Sequence, residues 1–110
     1  MAMFEFLKQR DRTPRTLPEG TVRRRYRIWG QVQGVGFRYR AKYAAQQLDL
    51  AGWVENKDDG TVELEVQGRL EQIRKLFGMI QASDYIQITG MRQEDLTPDP
   101  YARGFSVRGY

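Results

Sequence analysis

The 110-residue chain contains no cysteine and no histidine. The first absence excludes disulfides and thiol nucleophiles, the second excludes an imidazole base, and together they exclude Cys/His zinc sites. Catalytic chemistry would fall to Arg, Lys, Asp, Glu, Asn, Ser, Thr, Tyr and backbone amides. Long apolar runs are missing too: none approaches the ~20 residues that cross a bilayer. Residues 1–20 lack the apolar stretch and small-residue cleavage pattern of a secretory leader. The expectation is a cytoplasmic protein with no membrane partner.

A one-signed charge field is also absent from most of the chain. The formal charge is +4, from 18 Lys and Arg against 14 Asp and Glu. Residues 1–27 hold eight basic and three acidic side chains, and the remaining residues ten basic and eleven acidic. The excess is N-terminal and concentrated in Arg23, Arg24, Arg25 and Arg27. A blanket inference of nucleic-acid binding from net charge is therefore unsupported. These arginines read as a solvated strand face, with attraction of an anionic substrate as the functional alternative.

What is present is the composition of one globular domain: 40% hydrophobic, 29% charged, 12% aromatic, enough for a single core. Residues 1–21 read as a flexible extension, with an apolar patch at Phe4, Phe6 and Leu7 and a turn-rich linker at Thr13, Pro14, Thr16, Pro18, Glu19 and Gly20. Residues 22–110 form the domain. Val22, Tyr26, Ile28 and Val32 share one parity, which predicts a strand with one buried face. Arg24 interrupts that parity near the strand's start, where exposure is easier.

Phe37, Ala41, Ala44, Ala45 and Leu48 form a helical stripe over 37–49. Strands are predicted over 51–56 and 61–67, joined by a turn at Lys57-Asp58-Asp59-Gly60. A second helix covers 70–82, a fourth strand 85–93 and a short last strand 105–108, after a loop over 96–104. With right-handed crossovers the order βαββαβ, plus the short C-terminal strand, gives a ferredoxin-like α/β sandwich. In it an antiparallel sheet carries both helices on one face.

Two segments carry chemical information. In Gly30-Gln31-Val32-Gln33-Gly34-Val35-Gly36-Phe37-Arg38 a strand runs through a glycine-rich loop into a helix. Such a loop can point successive N–H groups at one anion, beside a helix N-terminus, and Arg38 can span two anion oxygens. A tight structural turn would need glycines as well. In the second segment, Gly52 to Gly68, Asn56 ends a strand beside the Asp-Gly turn. Its carboxamide suits either turn formation or the binding of a water molecule.

Taken together, the two segments resemble the signatures of the acylphosphatase family. The first matches over Ile28–Arg38. The second matches in Gly52-Trp53-Val54, Asn56, Gly60, Val62 and Gly68. The resemblance covers about residues 22–110. It implies a ferredoxin-like fold and an enzyme that hydrolyses a small acyl phosphate to carboxylate and inorganic phosphate, without metal or cofactor.

By the same resemblance Arg38 holds the phosphate with the amides of Gln33, Gly34, Val35, Gly36, Phe37 and Arg38, and Asn56 orients the attacking water. Inorganic phosphate would be both product and inhibitor, and the enzyme would be a monomer. Two departures stand out. Glu55 replaces a basic or neutral residue, and strand alternation should turn it away from Asn56. Ala82-Ser83-Asp84 lacks a Gly-Pro.

The rival readings are an RNA-binding or a regulatory ferredoxin-like module. RNA readers of this fold stack bases on aromatics of the third strand. Here the open face of that strand would carry Thr61, Glu63 and Glu65. A regulatory module would leave Arg38 and Asn56 without a joint role. The length also leads to the expectation of a free-standing enzyme rather than one domain of a carbamoyl-transfer machine.

Overall fold

In the computed structural model, residues 13–109 are described. The sequence-predicted patch at Phe4, Phe6 and Leu7 lies outside them. The elements are β1 (Thr21–Gln31), α1 (Phe37–Gln47), β2 (Ala51–Asn56), β3 (Val62–Arg69), α2 (Leu70–Gln81), β4 (Gln87–Leu96) and β5 (Phe105–Arg108). The sheet order is β4-β1-β3-β2-β5. β1, β2, β3 and β4 pair antiparallel, and β5 runs parallel to β2, so the complete sheet is mixed. This is the ferredoxin-like α/β sandwich. No described helix is long and apolar enough to cross a membrane.

Alternation in the strands and a 3.6-residue period in the helices build the core between them. Tyr26, Ile28, Val54, Val62, Leu64 and Val66 rise from the sheet to meet Phe37, Ala41, Ala44 and Ala45 of α1 and Ile73, Leu76 and Ile80 of α2. The Tyr26 and Phe77 rings meet edge to face at 4.8 Å, a favoured aromatic geometry.

Boundaries shift where hydrophobic pattern and hydrogen-bond ladder part company. α1 ends at Gln47, because Leu48 caps it and Asp49 turns left-handed at φ 55°. β4 starts at Gln87 and runs to Leu96, later at both ends than its apolar pattern. The backbone of β1 continues to offer partners down to Arg23, which pairs with Leu96. Arg24, expected near solvent, faces the helix side half-buried, with Nε 3.2 Å from Asp95 Oδ1.

Residues 13–20 run without regular structure into β1. They are tied to the loop before β5: Arg15 N donates to Pro100 O at 2.8 Å, Arg15 Nη2 to Ala102 O at 2.8 Å, and Arg103 Nη2 to Thr13 O at 2.7 Å.

Candidate active site

The site forms where β1 ends. The β1–β4 register slips between Trp29 and Gly30, an irregularity of the kind that redirects a strand. The chain then turns through Gly34 and Gly36, at φ 74° and 82°. A Cβ built on either glycine would meet nothing within 4 Å. The left-handed backbone, rather than crowding, is what favours glycine there. Gly36 is also the N-cap of α1, and it brings no side chain to the first-turn amides. Arg40 N is the first amide of the helix to bond back, reaching Gly36 O at 3.0 Å. The uncapped start of α1 leaves N–H groups of Phe37, Arg38 and Tyr39 without intrahelical partners, in the polarity that favours an anion.

Asn56 arrives from a different strand. Val62 of β3 pairs with Ile28 on one side and with Asn56 on the other. The ends of β1 and β2 therefore stand at the same end of the sheet, two strand spacings or roughly 10 Å apart. Paired residues share a face, so Asn56 points with Val62 toward the helix layer. Glu55 points the other way and lies near Lys57, whose Nζ is 3.9 Å from Glu55 Oε2 and 3.8 Å from Glu63 Oε1. The acid that departs from the family pattern is thus on the opposite face of the sheet from Asn56.

The two segments enclose a cavity of about 110 Å³ lined by Val32, Gly34, Gly36, Phe37, Arg38, Tyr39 and Asn56. Two of its lining residues each have a buried polar atom with no hydrogen-bond partner among the described residues: Arg38 Nη1 and Asn56 Oδ1. Buried polar groups are normally satisfied, so a side chain of fixed positive charge and a neutral carboxamide lining one small cavity suit an anion and a water. The Arg38 guanidinium also lies 5.9 Å from the Tyr39 ring centroid, within cation–π range. Two larger grooves, each about 360 Å³, lie elsewhere, one between residues 15–18 and the start of α2, the other between α2 and β4. The first borders the start of α2, which also lacks a side-chain cap, but neither holds a left-handed glycine loop leading into a helix, so size does not choose the site. No group of three or more Asp or Glu side chains with metal-binding geometry occurs among the described residues.

Of the residues read from sequence, Gly34, Gly36, Phe37, Arg38 and Asn56 line the cavity and Val35 lies within the same loop. Gln33 also has a side-chain contact that the sequence did not signal. Its Nε2 donates to Lys57 O at 2.7 Å and to Thr61 O at 2.8 Å. Nothing in local spacing foretells that bond, because it depends on which strands are neighbours.

The open face of the sheet, the surface an RNA reader would use, is occupied by its own ion pairs. Glu65 is buried there and takes hydrogen bonds from Arg23 Nε at 2.7 Å and Arg25 Nε at 2.8 Å. Burial alone would raise the Glu65 pKa, but the hydrogen bonds and charges of Arg25 and Arg23 outweigh it and hold the carboxylate below its ordinary range. Arg27 pairs with Asp59. The Thr61 hydroxyl and backbone amide, then Arg27, lower the Asp59 pKa. Trp53 lies between Arg25, 5.6 Å from its ring centroid, and Arg108, at 4.2 Å.

The family model described as acylphosphatase matches residues 24–107. A Clostridium perfringens protein named acylphosphatase is 40% identical over 87 residues, covering 78% of this chain and 98% of the relative. The crystal structure of acylphosphatase from Bacillus subtilis superimposes with a TM-score of 0.70 at 31% identity, covering 78% of this chain and 97% of that one. Full-length HypF in its phosphate- and nucleotide-bound form has a similar region, TM-score 0.70 at 27% identity, which covers 89% of this chain but 12% of HypF.

Proposed function

The chain belongs to the acylphosphatase family, and we propose that it hydrolyses small acyl phosphates to a carboxylate and inorganic phosphate at the cavity between Arg38 and Asn56. The observation that carries this reading is that Arg38 and Asn56, each with a buried polar atom that has no hydrogen-bond partner among the described residues, line one cavity beside an uncapped helix start. The phosphoryl oxygens sit in the loop amides of residues 33–38, with the Arg38 guanidinium across two of them.

Asn56 Oδ1 accepts a hydrogen bond from a water and holds its oxygen in line with the P–O bond to the acyl group. The water oxygen bonds to phosphorus as that P–O bond breaks, and the electron pair leaves on the carboxylate. The water's proton passes to a phosphoryl oxygen of the substrate, since an amide is no base near neutral pH. Carboxylates are stable anions, with pKa values near ~4. The leaving group therefore needs no acid, and the protein's part reduces to orientation and charge stabilisation. These are tasks that arginine, asparagine and backbone amides perform without imidazole, thiol or metal.

The test is hydrolysis of benzoyl phosphate by the purified protein. Turnover should resist chelators, and inorganic phosphate should inhibit it competitively. No turnover, or turnover abolished by a chelator, refutes the reading. The proposal includes a monomer acting in the cytoplasm, which size-exclusion chromatography and cell fractionation check directly.

A further inference from the structure

We infer that the Gln33 side chain is a positioning residue for hydrolysis: it ties the anion loop to the strand end that carries Asn56. The inference rests on the acyl-phosphate reading of the site.

Three observations support it. First, the backbone of Gln33 opens the loop that leads to Arg38, while its side-chain Nε2 reaches Lys57 O at 2.7 Å and Thr61 O at 2.8 Å. One residue thus spans the gap between the two segments that supply the site, across the end of β3. Second, Lys57 is covalently next to Asn56. The amide of the peptide that follows Asn56, Lys57 N, donates to Thr61 O, the second acceptor of Gln33, and the Lys57 carbonyl belongs to the next peptide along. Holding both carbonyls thus holds the backbone on the C-terminal side of Asn56, and with it the direction in which the Asn56 carboxamide leaves the strand.

Third, neither carbonyl needs Gln33 for its own satisfaction. Lys57 O already accepts from Gly60 N at 3.2 Å, and Thr61 O from Lys57 N at 2.8 Å. The turn closes by itself, and the Gln33 bonds are additional. Their effect is to join two structures that are each complete locally, and thereby to set the distance and angle between a phosphate held by the loop and a water held by Asn56. In-line attack is sensitive to such geometry: a misplacement of about 1 Å can cost about a hundredfold in rate.

The experiment uses the full chain with Gln33→Met, which keeps the side-chain volume and removes both hydrogen bonds, and Gln33→Glu, which keeps the length but presents a carboxylate that cannot donate. Phosphate affinity is read by NMR titration with inorganic phosphate, independently of turnover. Melting temperature is recorded alongside.

For Gln33→Met, kcat on benzoyl phosphate should fall about tenfold to a hundredfold, with phosphate affinity within threefold (about 0.65 kcal/mol at RT ≈ 0.59 kcal/mol) and the melting temperature nearly unchanged. Gln33→Glu should lose at least as much kcat. Parallel losses of kcat and phosphate affinity in a folded Gln33→Met, or an unchanged kcat, would overturn the inference. If Gln33→Met fails to fold while Gln33→Glu folds and keeps full kcat, the inference is overturned as well. Absence of turnover in the unmodified protein would be a different failure, that of the acyl-phosphate reading itself.

Discussion

Two sets of arginines in this molecule meet opposite fates. On the open face of the sheet, Arg23 and Arg25 share the buried Glu65, and Arg27 pairs with Asp59 and lies 3.7 Å from Glu63. At the start of α1, Arg38 has no carboxylate within ion-pairing distance among the described residues, and one of its buried nitrogens has no hydrogen-bond partner among them. The first set accounts for most of the N-terminal excess of charge, yet its field is largely cancelled where it arises. The second is a single side chain whose charge no carboxylate among the described residues meets at ion-pairing distance, which is why the proposed function gives it the phosphate. An arginine's partners decide its role more than the count of arginines does.

The sharpest way to break this contrast is to remove the unpaired member. Arg38→Ala should lower kcat/KM for benzoyl phosphate by roughly a thousandfold, the scale of losing a preorganised charge-stabilising donor, with an unchanged circular dichroism spectrum. Retention of more than a tenth of the activity would place the phosphate elsewhere. Asn56→Ala should come next, losing about a hundredfold in kcat while competitive inhibition by phosphate persists. If phosphate inhibition vanished with the rate, Asn56 would be a phosphate ligand and not a water ligand.

On the paired side the effect should appear in stability. Glu65→Ala leaves two partly buried guanidinium groups without their shared anion. Breaking a buried pair in this way costs about 3 kcal/mol, equivalent to a fall of roughly 15 °C in melting temperature for a domain of this size. Activity at 25 °C should be kept. A large loss of kcat without a loss of stability would show that the open face reaches the site.

The pH dependence follows from the same carboxylate. The Glu65 pKa is lower folded than unfolded, so its stabilisation is present above the unfolded value, near ~4.3, and disappears as pH falls through the folded value. Thermal denaturation of the unmodified protein should therefore steepen in its pH dependence below about pH 4, and Glu65→Ala should flatten that slope. The smallest effect should come from Arg25→Gln, which should change kcat/KM by less than about twofold from low to physiological ionic strength. A paired, half-exposed charge contributes little steering once screened. A strong salt-dependent loss would restore the substrate-attracting role for the arginine strand.

Most of the fold was legible in the sequence because local pattern and tertiary role agree. Tyr26, Ile28, Val62, Leu64 and Val66 alternate into the core, and Phe37, Ala41, Ala44 and Ala45 repeat as a helix stripe that is buried as expected. The site segments were legible because Gly34, Gly36, Arg38 and Asn56 carry their meaning in residue type and order. Glu65 was not. An acid on an alternating strand reads as solvated, and only the cross-strand pairing of Arg25 with Glu65 and of Arg23 with Gln67 brings two cations over it. Gln33 was legible as part of the loop but not as a tie, for the same reason: its partners lie 24 and 28 residues further along the chain.

The placement of Val62 between Ile28 and Asn56 bears on how activity is won and lost. The loop and Asn56 belong to strands that do not touch, so neither half can find the other until β3 has docked between them. No sheet that lacks β3 brings the two halves of the proposed site together. In a denaturant titration, loss of hydrolysis should then track the global unfolding transition instead of preceding it, as expected for a small domain that unfolds in one step.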